Sequence, residues 1–295
     1  MKKILLALAL SPSLLIAACS RDDAPPQAEA ADPGAEVNAI ADAYMDAIKE
    51  TAPFMFLYSG LGADVPIAND AFDDISPEAT AAFETSEDAL LARLEKIDPA
   101  ALSDKADWVA YQTMKEFMTS NAGARVCRQQ WTSLNHMFGW PNALPIVASM
   151  QPVATEEERA AALARWEKLP AYIAQDRANL ETGLANGYSV PKRVAARVVA
   201  QLDMLLETPP QESPFIAFPE GGGDAFSAEA AALVEEKINP AIAGFRAFLK
   251  ETYIPVARDS LAITANPDGA ACYEAMLRAY HGAPIGSKKT HDRGA

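Results

Sequence analysis

Apolar residues recur every three or four positions through most of the chain, with polar residues filling the gaps. That period marks helices that turn one face to a core. It runs from Val37 to Tyr44 and on to Ile48, and Pro53 closes it. The run Phe54-Met55-Phe56-Leu57-Tyr58 has no such period and reads as a buried connection. Ser76-Pro77-Glu78 opens the next helix, because Ser accepts a free backbone N–H and proline at the first helical position has none to leave unpaired. Phe83, Leu90, Leu91, Leu94 and Ile97 make its stripe, and Asp98-Pro99 ends it. Trp108, Tyr111, Met114 and Met118 predict a further core-facing stripe.

Later elements announce themselves at their ends. Thr155-Glu156-Glu157-Glu158 is a capping box, and its three carboxylates are explained by the positive end of a helix rather than by catalysis. Leu169-Pro170 opens a helix that Asn186-Gly187 ends. Pro191 begins another, with Val194, Val198, Leu202 and Leu205 on one face and Pro209-Pro210 as its stop. A loop of Pro, Gly and Ser covers 209–227. Asn239-Pro240 reads as a helix start, followed by Ile242, Phe245 and Leu249, and Pro255 ends or kinks that helix near Ile254. After the turn Asn266-Pro267-Asp268-Gly269, a second helix carries Tyr273, Met276, Leu277 and Tyr280, so the pair reads as a helical hairpin. No alternating strand pattern and no repeat is visible. The expected fold is mostly α: a multi-helix, bundle-like domain with long loops and no substantial sheet.

The first residues depart from this pattern. Lys2 and Lys3 precede a broken apolar run, and Ile16-Ala17-Ala18-Cys19 has the form of a lipobox. Residues 1–18 are therefore expected to be a lipoprotein signal peptide, too short and interrupted to span a membrane, with Cys19 as the lipidation site. Several acyl chains on one residue would anchor the chain stably. Ser20, rather than aspartate, follows Cys19, which favours outer-membrane sorting. Residues 19–35 read as a flexible tether, 36–282 as the helical domain and 283–295 as a disordered polar tail.

The formal charge of the 295-residue chain is -15, and removing the leader with its two lysines makes it more acidic. Such a surface repels phosphate backbones, so nucleic acid is excluded as a partner, and membrane contact is assigned to the lipid. Nucleophile elbows, phosphate loops and a His-Glu-x-x-His helix are absent from the sequence, and His136, His281 and His291 have no ligand-like spacing. Neither a catalytic nor a metal-binding residue is assigned.

Two further cysteines, Cys127 and Cys272, would face an oxidising compartment. A disulfide between them is one reading, and buried free thiols or a metal site are the others. The stretch 127–140 gathers Trp131, Asn135, His136 and Trp140, groups suited to lining a peptide- or sugar-binding cleft. The competing reading is a buried loop whose tryptophans fill the core.

Several segments, in order, carry a resemblance: 127–140 with Gln151-Pro152, Trp166-Glu167-Lys168-Leu169-Pro170-Ala171-Tyr172, 183–201, Tyr253-Ile254-Pro255-Val256-Ala257-Arg258, Pro267-Asp268-Gly269, Cys272-Tyr273 and Leu277-Arg278-Ala279-Tyr280-His281. Together they resemble the bacterial domain of unknown function (DUF) 885 family. The resemblance implies an exported, mostly helical protein of about twice this length, similar to zinc metallopeptidases, with its His-Glu metal motif in a C-terminal half. No position here matches that motif. The expectation is therefore an N-terminal, cleft-wall part, inactive alone, with zinc only in the missing C-terminal half. Its partners would be the membrane through the lipid, a peptide ligand, or that missing half. The alternative is a non-catalytic envelope lipoprotein that binds a peptide or partner protein.

Overall fold

The computed structural model describes residues 32–59 and 68–294. The signal peptide, Cys19 and most of the tether lie outside the described residues. The helices are α1 (Pro33–Thr51), α2 (Pro53–Tyr58), α3 (Pro77–Leu94), α4 (Lys105–Ala124), α5 (Trp140–Met150), α6 (Glu156–Glu167), α7 (Leu169–Ala185), α8 (Lys192–Glu207), α9 (Gly223–Leu233), α10 (Asn239–Phe248), α11 (Ile254–Val256), α12 (Gly269–His281) and α13 (Ser287–Gly294). Among the described residues the only extended pairing is a single bridge between Pro191 and Arg258, so the fold is mostly α.

The caps sit where their side chains demand. Ser76 accepts the Ala79 N–H at 3.1 Å, and Thr155 and Glu158 satisfy each other's backbone donors. Gly187, at φ 80, takes the left-handed turn that ends α7. Helices α1, α3 and α4 close one core around Val37, Ile40, Leu90, Leu94, Tyr111 and Met118. A polar knot crosses it. Tyr44 donates to Glu87 at 3.2 Å, and Arg125 donates to the other Glu87 oxygen at 2.8 Å. The larger core joins α5, α7, α8 and α10 around Trp140, Trp166, Leu180, Leu202, Phe245 and Tyr253.

Several sequence expectations change. The aperiodic Phe54–Tyr58 run is a short helix, α2, whose Phe54 N–H is accepted by Asp73 at 2.8 Å. Trp108 is half-exposed in the first turn of α4, and the buried stripe starts only at Tyr111. The 209–227 loop is shorter than expected, since α9 begins at Gly223. Asn239-Pro240 is no start: the chain is already helical through the π turn Val234–Ile238 and continues into α10. A second π turn, Leu249–Tyr253, precedes Pro255 in the same way. Widening the turn removes the hydrogen bond that each proline cannot make and relieves the clash of its ring with the carbonyl four residues back. Helix α12 packs on α4 instead of folding back on α10, so the expected hairpin is replaced by a long-range contact. Residues 287–294 form α13 where irregular chain was expected.

Candidate functional site

Between α4 and α5 the backbone turns sharply enough to bring distant elements together. Arg128 adopts φ 49 between two 3-10 turns, Arg125–Cys127 and Gln129–Thr132. Gly183 of α7 admits that segment, because a Cβ there would lie 2.5 Å from the Trp131 carbonyl oxygen. Cys127 forms a disulfide with Cys272 of α12, with Cα atoms 4.7 Å apart. Arg278 of α12 grips Glu116 of α4 through two bonds of 2.6 and 2.8 Å, which hold the Glu116 carboxyl below its ordinary range.

These contacts frame an open cleft of about 500 Å³. Cys127 and Cys272 line it together with Gln129, Thr132, Ser133 and Asn135 from the first segment and Ile263, Tyr273 and Met276 from the second. Behind Ser133 stands Asp176, a carboxyl that is only 4% exposed. Its two oxygens accept the Ser133 hydroxyl at 2.5 Å and the Trp140 indole N–H at 3.2 Å. Burial pushes the Asp176 carboxyl up, and these two donors pull against that rise. With its proton committed to Asp176, the exposed Ser133 hydroxyl offers lone pairs to the cleft and so suits a ligand that donates hydrogen bonds.

The family model for "Bacterial protein of unknown function (DUF885)" matches residues 53–295. The chain belongs to this family. A solved structure is similar over 87% of the chain: the crystal structure of the "putative lipoprotein" from Colwellia psychrerythraea, with a TM-score of 0.70 and 14% identity. The match covers 48% of that chain, so this DUF885 protein spans about half the length of its structural neighbour. No curated protein matches it in sequence.

Within the DUF885 chain the four candidate ligand residues do not converge. Asn135 lines the cleft, but its side-chain oxygen accepts the Met137 and Phe138 N–H groups at 2.8 and 3.1 Å and so shapes its own loop. Trp131 lies edge-on to Tyr188 with the Arg128 guanidinium 5.5 Å from its ring centre. Trp140 is buried between Phe215 and Phe245. His136 faces α8, where its Nε2 meets the Arg197 guanidinium at 3.0 Å. Of the alternatives for Cys127 and Cys272, the structure contains the disulfide.

Two features escaped the sequence reading. Asp176 occupies an inward position of α7, in line with Leu169, Ile173, Leu180 and Gly183, and an acid in that stripe was the available signal. Arg165 is fully buried in α6 and holds the chain near residue 68, donating to the Ala68 carbonyl at 2.6 Å and to Gln151 at 2.5 Å. Burial moves its guanidinium down to about 10. Its alternation of Arg with apolar neighbours resembles an ordinary helix, so periodicity concealed it. Among the described residues no three His, Cys, Asp or Glu side chains cluster as a metal site would require.

Proposed function

We propose that this chain is the cleft-wall part of an exported, lipid-anchored envelope protein akin to zinc peptidases, and that it binds peptide without hydrolysing it. The observation that carries the reading is the open cleft beside the disulfide, in a chain that spans 48% of its structural neighbour. The name of that neighbour as a lipoprotein supports assigning Cys19 as the anchor, and Ser20 in place of aspartate after it favours outer-membrane sorting. Peptide amides would donate to Ser133, and Tyr273 and Met276 would cover apolar side chains. A second reading, a self-sufficient binding lipoprotein, is favoured by the closed cores and by a disulfide that spans 145 residues.

The leaderless chain, titrated with a pooled peptide library, should show binding that weakens in Tyr273→Ala and no accumulation of cleavage products. Product formation would defeat the reading. Binding that ignores Tyr273 would remove the cleft from it.

A further inference from the structure

The buried carboxyl behind the cleft is held by two donors of different kinds. Ser133 meets Oδ1 of Asp176 at 2.5 Å, and the Trp140 indole meets Oδ2 at 3.2 Å. An indole N–H can only donate, whereas a hydroxyl can donate or accept. A proton on Oδ2 would leave the buried indole without its acceptor, so Oδ2 accepts whether or not Asp176 is ionised. When the carboxyl takes up a proton from solvent, that proton therefore sits on Oδ1, the oxygen facing Ser133. The bond between them then reverses. Asp176 donates, Ser133 Oγ accepts, and the Ser133 O–H is released toward the cleft.

Little else in the neighbourhood carries charge. Among the described residues no Asp, Glu, Lys, Arg or His lines the cleft. Around Asp176, Tyr172 on its own helix and Tyr253 in the π turn Leu249–Tyr253 feel its charge, and Asp73 acts in turn on Tyr172. Burial pushes both phenols up, Tyr253 to about 12, so neither ionises where a carboxyl does. Among the described residues no cation and no second carboxylate acts on Asp176 itself, and burial moves its titration upward from the ordinary 3.8 against the pull of its two donors.

We propose that Asp176 sets the hydrogen-bond polarity of Ser133, so that the cleft selects groups that donate to Ser133 while the carboxylate is ionised and groups that accept from it once the carboxylate is protonated. Asp176 is a positioning residue here, acting on the ligand only through Ser133. The inference rests on the peptide reading of the cleft and adds to it a specificity that depends on pH. A backbone amide N–H suits the ionised form, and an ester oxygen or a carbonyl suits the protonated one. An aspartate that merely tied Trp140 to the 127–135 segment would leave ligand preference the same at every pH.

The test compares a fluorescent, capped peptide of alanine and phenylalanine with depsipeptides in which an ester oxygen replaces one N–H at a time. Anisotropy titrations of the leaderless chain run across the pH range in which it stays folded, alongside the carbon-13 resonance of the Asp176 carboxyl. Above the Asp176 titration the amide should bind about fivefold more tightly than the ester at one position. Below it that preference should vanish or reverse, with the midpoint of the carboxyl. Asp176→Asn, checked for an unchanged melt, still offers Trp140 an acceptor and turns its amide N–H on Ser133, so it should show the low-pH preference throughout. Ser133→Ala, a change at an exposed residue, should remove the pH dependence of the preference, and Asp73→Asn should leave its midpoint in place. A preference that stays constant through the Asp176 titration, a carboxyl that never titrates while the chain is folded, or an Asp176→Asn variant with the high-pH preference overturns the inference and leaves the peptide cleft standing. Binding of neither probe at any pH overturns the peptide reading and the inference with it.

Discussion

Asp73 shows how burial turns one side chain into a pH-dependent element. Its carboxylate accepts the Phe54 and Met55 N–H groups at the start of α2, yet burial outweighs those bonds and moves it from 3.8 up to about 6. Between those values the folded chain keeps a proton that the unfolded chain has released. Stability from this group is thus present at low pH and declines as pH rises through that window. Two units correspond to about 3 kcal/mol as an upper figure. Asp73→Asn keeps an acceptor but cannot ionise. Urea unfolding should show the variant gaining on the wild type from pH 4 to pH 7, and a constant difference would contradict the assignment. Ser133→Ala tests the neighbouring case, because it strips one of two donors from buried Asp176. The expected loss is about 1–3 kcal/mol at neutral pH, with the Asp176 carboxyl displaced further upward in a carbon-13 titration. Of this chemistry the sequence showed the stretch containing Ser133 but not its partner, since a lone acid at position 176 is identified only by the direction in which its helix faces.

The elements were legible where a cap or proline decides locally. Ser76, Thr155 and Pro191 mark helix starts through bonds made within one turn. Asn239-Pro240 carries the same local signal, but packing of Val234, Ile238 and Ile242 into one core keeps the helix continuous, and a π turn absorbs the proline. Helix α12 was legible as an element, and its partner was not. It is tied to the 3-10 turn after α4 by a disulfide and to α4 itself by one ion pair about a third exposed on each side. These are unequal. Closing a loop of this size contributes about 4 to 5 kcal/mol, whereas a partly exposed pair contributes about 1 kcal/mol or less. Reduction, or Cys272→Ala, should lower the unfolding free energy by several kcal/mol and increase exchange of α12 amides. Glu116→Gln should change stability by under about 1 kcal/mol. A larger effect from Glu116 than from the disulfide would reverse this order.

At the scale of the whole molecule, the mostly α class followed from helical periodicity alone, and family membership from motifs distributed along the chain. The meeting of 127–135 with 263–276 in one cleft did not, because no pattern in either segment encodes contacts across more than a hundred residues. The anchoring proposal predicts that Cys19→Ser moves the protein from the membrane fraction to the soluble envelope fraction, and membrane retention of that variant would contradict it. The central claim, that this chain binds peptide but has no hydrolytic centre of its own, is tested most directly by assaying tag-free purified protein for bound zinc and peptide turnover together, with and without a chelator. The account predicts substoichiometric zinc and no turnover under either condition. One zinc per chain with turnover abolished by the chelator would contradict it.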